Sequence, residues 1–132
     1  RDLHSFPTRR SSDLYSFPTV AAGAHAVALA GSVVLTLWPG PGMSVLALAL
    51  VGLGYGLISG VTAAAVAVYW RHALYGRVAS RIYMAWCAAA IILPVIAGRL
   101  FDLTQGYGTA VLIAAGGNAL GVLVSLGLPR QR

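Results

Sequence analysis

The sequence is short of charge. Charged residues make up 9% of its 132 residues, lysine and glutamate are absent, and the hydrophobic share is 58%. A soluble domain carries about a quarter charged residues, so this chain could not cover a water-facing surface. Its mean hydropathy of +0.80 agrees with that deficit. We therefore predict an integral membrane protein whose surroundings are the lipid bilayer.

The residue types that build reactive centres are scarce as well. The single cysteine, Cys87, excludes an internal disulfide, and no histidine or cysteine cluster has the spacing of metal ligands. The segment GLGYG (residues 52–56) lacks the G-x-G-x-x-G spacing of a nucleotide-binding loop. No nucleophile–base pair is recognisable. We therefore expect no enzyme, no cofactor and no metal site.

Residues 1–14, RDLHSFPTRRSSDL, differ from everything that follows. They are polar and basic, and they match the conceptual translation of a common short-read sequencing adapter. A basic targeting peptide is the alternative, but the segment lacks the apolar core of a signal sequence. We expect the segment to be non-native and the natural protein to begin upstream of Tyr15. Residues 15–132 would then be the C-terminal part of a longer chain.

Four long apolar stretches follow, at about residues 20–38, 43–69, 82–100 and 107–128. Each has about the 20 residues that a transmembrane helix needs, and none alternates as a β-barrel strand does. The pentapeptide WPGPG (residues 38–42) separates the first two stretches, because Pro fixes φ and Gly permits a tight turn. The predicted fold is an all-α membrane protein with four transmembrane helices.

The arginines set the predicted topology. A net charge of +6 is typical of nucleic-acid binding in a soluble chain, but here the arginines flank apolar stretches, and we expect no nucleic-acid partner. Most of them lie between the second and third stretches or in the C-terminal tail, while Arg99 on the opposite side is offset by Asp102. The positive-inside rule makes the basic side, and the C-terminus, cytoplasmic in a bacterial inner membrane. The arginines on that side are Arg71, Arg77, Arg81, Arg130 and Arg132.

Glycines recur at intervals of four. The second stretch carries Gly52, Gly56 and Gly60, and the fourth carries Gly117 and Gly121. That spacing puts the glycines of each stretch on one helix face, where another backbone can approach closely. The alternative is that glycine is simply common in membrane helices. We favour packing for the triple-glycine face, which we define as Gly52, Gly56 and Gly60, and both interpretations stay open for the fourth stretch.

Few side chains within the apolar stretches could recognise a solute. Arg81 opens the third stretch, and it either attracts an anionic substrate or anchors the helix by extending to the headgroups. Tyr83 and Trp86 follow, and they either line a cavity with Arg81 or belong to the aromatic belt of the interface. Asn118 and His25 are the remaining polar candidates, each either an interhelical hydrogen-bonding group or a ligand contact.

The third stretch also contains Pro94 near its middle. Proline removes one backbone hydrogen bond of a helix, so we predict a kink there. None of the four stretches contains Asp or Glu. A proton relay built on a carboxylate is therefore excluded within these spans, although further helices could supply one.

The segment Leu74 to Gly108 resembles the eleventh helix of major facilitator superfamily transporters and the loop after it. Within that superfamily, the oxalate/formate antiporter and monocarboxylate-carrier-like branch is the most similar. The residues that carry this likeness are Tyr75-Gly76, Ala85-Trp86, Pro94, Ala97-Gly98 and Asp102. GLGYGLISG followed by YWRHALYG (residues 52–60 and 69–76) likewise resembles the tenth helix and the cytoplasmic loop after it.

The resemblance implies a twelve-helix fold of two six-helix halves, with alternating access to a central site. The four stretches would be helices nine to twelve, and Gly98 and Asp102 would belong to the motif that leads into the following loop. The chain departs from the family where Asp-x-Thr-Gly-x-Tyr is usual, because Gln105 precedes Gly106 here. Oxalate-type members also carry a lysine where this chain has Met84. Arg81 could supply the positive charge for another carboxylate.

Two functions follow. The first is a secondary active transporter of a small organic solute, a monocarboxylate or dicarboxylate among the candidates, acting by antiport or symport with the missing N-terminal helices as partners. This four-helix part would be inactive alone. The alternative is a small membrane scaffold or assembly subunit without transport. A four-helix multidrug exporter would need an intramembrane glutamate, which this sequence lacks.

Overall fold

The computed structural model describes residues 16–70 and 72–128, which form four α-helices and, within those ranges, no strand. All four helices are long and apolar enough to cross a membrane. The all-α membrane fold predicted from the sequence is therefore confirmed. The adapter-like residues 1–14 and the topology residues Arg71, Arg130 and Arg132 lie outside the described residues. The helices are α1 (Phe17–Leu37), α2 (Pro41–Tyr69), α3 (His72–Thr104) and α4 (Gly108–Gly127).

Proline and glycine determine where α1 ends and α2 begins. The break falls within the predicted WPGPG segment, and α2 starts at Pro41, a first-turn position where a missing N–H costs nothing. Gly40 before it is extended, with φ −171°, and its carbonyl accepts a hydrogen bond from the N–H of Ser44 at 2.8 Å. The turn therefore depends on the two prolines rather than on a left-handed glycine.

The helix α3 is longer than the sequence predicted. It begins at His72 rather than near residue 82, so most of the segment interpreted as a cytoplasmic loop is helical, and that prediction was wrong. The segment contains no proline, and its Leu, Ala and Arg residues favour helix. At 1.5 Å per residue, 33 residues extend about 50 Å, against about 30 Å of hydrocarbon. The turn that carries Arg77 can therefore stay helical outside the hydrocarbon, and the long side chain of Arg81 can reach the headgroups from just inside it. The other three helices agree with the predicted spans to within three residues.

The helix α1 is the centre of the bundle. It packs along both α2 and α4, whereas α3 makes only limited contact with α2 and α4. Seven residues of α1 are buried, whereas no residue of α3 is buried. The four helices therefore consist of a packed trio, α1, α2 and α4, with α3 beside it.

Two glycines allow α1 and α2 to touch backbone to backbone. A Cβ on Gly54 of α2 would lie 2.7 Å from the carbonyl oxygen of Ala24 and 2.9 Å from the Cβ of Ala28. A Cβ on Gly31 of α1 would lie 2.7 Å from the carbonyl oxygen of Ala47. Such distances are far below normal contact, so only glycine fits at either position.

The glycines singled out from the sequence lie elsewhere. A Cβ on any residue of the triple-glycine face, or on Gly117, would meet no atom within 4 Å among the described residues. Gly121 does pack closely, against the ring of His25. Among the four described helices, none packs against the triple-glycine face, and its role in packing stays a prediction.

A left-handed residue ends α3. Gln105 has φ 55° and is the one non-glycine residue with positive φ in the described part of the chain. Its N–H donates to the carbonyl of Phe101 at 2.7 Å, and its side-chain amide donates to the carbonyl of Asp102 at 3.0 Å. In the transporter pattern that the sequence resembles, this position is glycine. Gln105 thus adopts a conformation that costs roughly 1–2 kcal/mol for a residue with a Cβ.

We expect Gly54→Ala to lower the free energy of unfolding in detergent micelles by about 1–3 kcal/mol, because the atoms it meets are backbone and cannot move away cheaply. The matched control is Gly56→Ala, on the open face of the same helix. That change should be neutral or stabilising by up to about 1 kcal/mol, since alanine favours helix over glycine. Equal loss in both variants would contradict the α1–α2 contact.

Gln105→Gly should raise the melting temperature of the chain, because glycine adopts positive φ without a steric cost. Gln105→Ala is the control: it keeps the left-handed strain, removes the hydrogen bond to Asp102 and should be destabilising. Circular dichroism on heating measures both. A lower melting temperature in the glycine variant would show that the side-chain bond outweighs the strain.

Candidate functional site

Three aromatic rings meet between α2 and α3. The ring centroid of Trp86 lies 5.8 Å from that of Tyr55 and 5.6 Å from that of Tyr83. The Tyr83 and Trp86 rings are nearly perpendicular, at 88°, which is the edge-to-face geometry that aromatic quadrupoles favour. Tyr83 and Trp86 can meet because they are three residues apart on one helix. We call Tyr55, Tyr83 and Trp86 the aromatic cluster.

The aromatic cluster lies at the middle of the helices. Tyr55 is the fifteenth of the 29 residues of α2, and Trp86 is the fifteenth of the 33 residues of α3. Belt residues instead lie near the membrane–water interface, about half the bilayer thickness away. The depth of the cluster thus favours a cavity lining over an aromatic belt.

The polar atoms of the aromatic cluster are not used within the fold. No hydrogen bond joins the hydroxyl of Tyr55, the hydroxyl of Tyr83 or the indole N–H of Trp86 to another described residue. Tyr55 is 63% exposed and Tyr83 42% exposed, so the rings face away from the packed trio. An unsatisfied hydroxyl in hydrocarbon costs several kcal/mol. In hydrocarbon, these three donors would need an acceptor from outside the described residues.

Arg81 does not join the aromatic cluster. It is exposed, and it forms no ion pair or hydrogen bond with any described residue. At about 100° per residue, two positions along a helix differ by about 200°, so Arg81 and Tyr83 point to opposite sides of α3. Arg81 also lies about 7.5 Å nearer the start of the helix than Trp86. The structure therefore brings together Tyr83 and Trp86, as expected, but not with Arg81.

His25 and Asn118 form a polar bridge between α1 and α4. His25 Nδ1 lies 3.2 Å from Asn118 Oδ1, and Asn118 Nδ2 donates to the carbonyl of Ala114 at 3.1 Å. Because the amide nitrogen is directed to Ala114, its oxygen accepts the bond, and Nδ1 of His25 is the donor. Of the two interpretations of these residues, the interhelical hydrogen bond is the one observed.

Gly121 makes the bridge possible. Gly121 lies one helical turn after Asn118 on α4. A Cβ at Gly121 would lie 2.6–2.7 Å from three atoms of the His25 ring. The ring therefore lies directly on the backbone of α4. Of the two glycines predicted to share a face in the fourth stretch, Gly121 therefore makes this side-chain contact. Gly117 has open space beside it.

The remaining predicted residues lie along α3. Pro94, Gly98 and Asp102 all lie within α3, so the predicted loop motif of Gly98 and Asp102 is helical. Pro94 provides no N–H for the carbonyl of the residue four positions before it, so the kink stays a prediction. Asp102 is exposed.

No family model, curated protein or solved structure matches this chain. The roles of its residues are therefore assigned from their positions and their chemistry.

Sequence reasoning missed Tyr55. The residue stands inside GLGYG, a segment whose glycines, and not its tyrosine, carry the predictions made from the sequence. It is the only polar aromatic residue in the interior of α2, far from either end of an uncharged helix. A single phenol at mid-depth was a usable indication of a site. Its contact with Trp86, however, joins two helices and could not be read from the sequence.

We expect the His25–Asn118 bond to show a coupling energy of about 0.6–1.7 kcal/mol in a double-mutant cycle with His25→Ala and Asn118→Ala, measured by unfolding in micelles. The expected coupling energies are modest because polar groups that lose this bond find other hydrogen-bond partners in the membrane. The control pair is Asn118→Ala with Ser80→Ala, whose hydroxyl bonds only within α3. Additive effects in the His25–Asn118 cycle would show that the bond contributes nothing.

Proposed function

We propose that this chain is the C-terminal four-helix part of a secondary transporter that moves a small organic carboxylate by alternating access. The observation that carries the proposal is the aromatic cluster at mid-depth with its three unused donors. Transporters of this kind hold their substrate near the bilayer midplane, on helices that also move. The four helices alone are not expected to transport, because such a site is completed by the other half of the protein.

The chemistry of the aromatic cluster suits a carboxylate. Phenol hydroxyls and the indole N–H all donate hydrogen bonds, and a carboxylate offers two oxygens that accept them. Hydrogen bonds to a charged acceptor are about twice as strong as neutral ones. The ring faces would contact the apolar part of the same solute. The one acidic residue of the described ranges, Asp102, lies 16 residues further along α3 than Trp86, about 24 Å away along the axis, and would repel the solute little.

The open faces of the bundle support the existence of further helices. The helix α3 has no buried residue, and the triple-glycine face of α2 has no neighbour. Small-residue faces are typical of helix–helix contacts in membranes. The resemblance of residues 74–108 to the eleventh helix of major facilitator transporters also leads us to expect further helices. The helices α1 to α4 would then be the ninth to the twelfth.

The arginines support the orientation. Among the described residues, Arg77 and Arg81 lie at the start of α3, while Arg99 and Asp102 lie near its end. The positive-inside rule then places the start of α3, and the end of α4, on the cytoplasmic side of a bacterial inner membrane. Arg81 would raise the local concentration of an anionic solute at that entrance instead of binding it at mid-depth.

The test is uptake of labelled carboxylates by the longer protein in proteoliposomes. Tyr55→Phe removes one donor and keeps the ring, so we expect KM to rise about tenfold to a hundredfold, the value of a hydrogen bond to a charged group. Arg81→Ala should lower uptake of anionic solutes at low ionic strength and lose that effect in high salt. Tyr75→Phe, outside the aromatic cluster, is the matched control and should leave uptake unchanged.

Unchanged uptake in Tyr55→Phe would refute the aromatic cluster as the solute site. The genomic DNA upstream of Tyr15 tests the remainder of the proposal. A reading frame that adds about eight apolar spans is expected. A start codon close to Tyr15 would instead favour the small scaffold or assembly subunit.

A further inference from the structure

An apolar cavity opens at the end of the bundle where α3 begins. Its volume is about 350 Å³, within the roughly 300–1,000 Å³ of ligand pockets. Three helices contribute to its wall, through residues such as Phe17 of α1, Val66 and Tyr69 of α2 and Ile82 of α3, and Leu128, which directly follows α4, completes it. Val66 is 2% exposed, so the inner wall of the cavity is closed.

The cavity exists because α3 packs loosely. The trio of α1, α2 and α4 is tight, while α3 contributes Ile82 to the wall without any buried residue of its own. Thr62 is a polar residue of the wall, and its hydroxyl donates to the carbonyl of Ile58 in its own helix. That hydroxyl therefore does not donate into the cavity. An occupant of the interior is best apolar and flexible.

Aromatic residues mark the mouth. Trp70 is 43% exposed at the end of α2, and the Tyr69 ring lies between those of Trp70 and Phe17, at 6.2 Å and 5.8 Å. Tyrosine and tryptophan at helix ends occupy the headgroup level of a bilayer. The mouth therefore lies where lipid headgroups meet acyl chains.

The described charges that lie nearest to the cavity along α3 are of one sign. Arg81 directly precedes the wall residue Ile82, and Arg77 lies one turn nearer the start of α3. Neither forms an ion pair with a described residue, and Asp102, the one acidic residue in the described ranges, is at the other end of α3. In the sequence, Arg71 also follows Trp70, and Arg130 follows Leu128 by two residues.

The geometry points to a binding site for an anionic phospholipid, with an acyl chain in the cavity and the headgroup phosphate on Arg77 and Arg81. Basic pockets between transmembrane helices on the cytoplasmic side suit such headgroups. The cavity alone would fit any apolar chain, and the two arginines select the anionic lipid. This site is separate from the aromatic cluster and does not depend on the proposed transport.

The test follows the fluorescence of Trp70 in the full 132-residue chain, with Trp38 and Trp86 replaced by Phe. Vesicles contain phosphatidylcholine and phosphatidylglycerol in equal amounts, with bromine on the acyl chains of one lipid or the other. We expect brominated phosphatidylglycerol to quench Trp70 more than brominated phosphatidylcholine does. Each of Arg77→Gln and Arg81→Gln should lower that preference about fivefold. Arg99→Gln, at the other end of α3, is the matched control and should leave it unchanged.

A second variant separates the cavity from the charge. Ala65→Leu places a larger side chain on the wall, and it should reduce quenching by phosphatidylglycerol while both arginines remain. Glycerol phosphate added to the vesicles should not compete, because it has no acyl chain. Competition by glycerol phosphate would overturn the acyl site. Equal quenching by the two lipids in the chain that keeps both arginines would overturn the proposal. Protection of Trp70 from quenching by both lipids, through contact with a second copy of the chain, would also overturn it.

Discussion

The backbone contact between α1 and α2 is the constraint on which the other packing depends. Lipid tails are as apolar as leucine, so helices in a bilayer gain little from burying apolar area and depend on close van der Waals contact. Gly54 and Gly31 supply that contact by admitting the carbonyl oxygens of Ala24 and Ala47. Once α1 is held against α2 on one side, its other side is free for α4. The helix α3 has no comparable glycine contact, and it stays exposed along its length.

The polar side chains in the interior of the helices fall into two groups, according to whether they form hydrogen bonds with one another. His25 and Asn118 satisfy one another across α1 and α4, and Gly121 provides the space for the imidazole ring. Tyr55, Tyr83 and Trp86 keep their donors unused on the open side of α2 and α3. The first arrangement stabilises the bundle. The second costs free energy unless a partner arrives, which is why it marks the candidate solute site.

The two ends of α3 differ in charge, and the difference links topology to lipid recognition. Arg77 and Arg81 lie beside an apolar cavity at one end, whereas Arg99 has Asp102 three residues away at the other. Unbalanced positive charge at headgroup depth both orients the chain and attracts anionic lipid. A solute carboxylate at the entrance would experience the same field.

The sequence by itself determined the number of helices, the approximate bounds of three of them and the apolar character of all four. The reason is that hydrocarbon forces every backbone N–H into a hydrogen bond within the protein, and only long apolar stretches can provide this as helices. It also identified Tyr83, Trp86, His25 and Asn118 as the unusual side chains. Periodicity along one helix, however, says nothing about which faces meet. Tertiary structure alone decided that Gly54 rather than the triple-glycine face touches α1, that His25 bonds Asn118, and that Tyr55 joins Trp86. Each of these is a contact between helices, fixed by the atoms that can approach most closely.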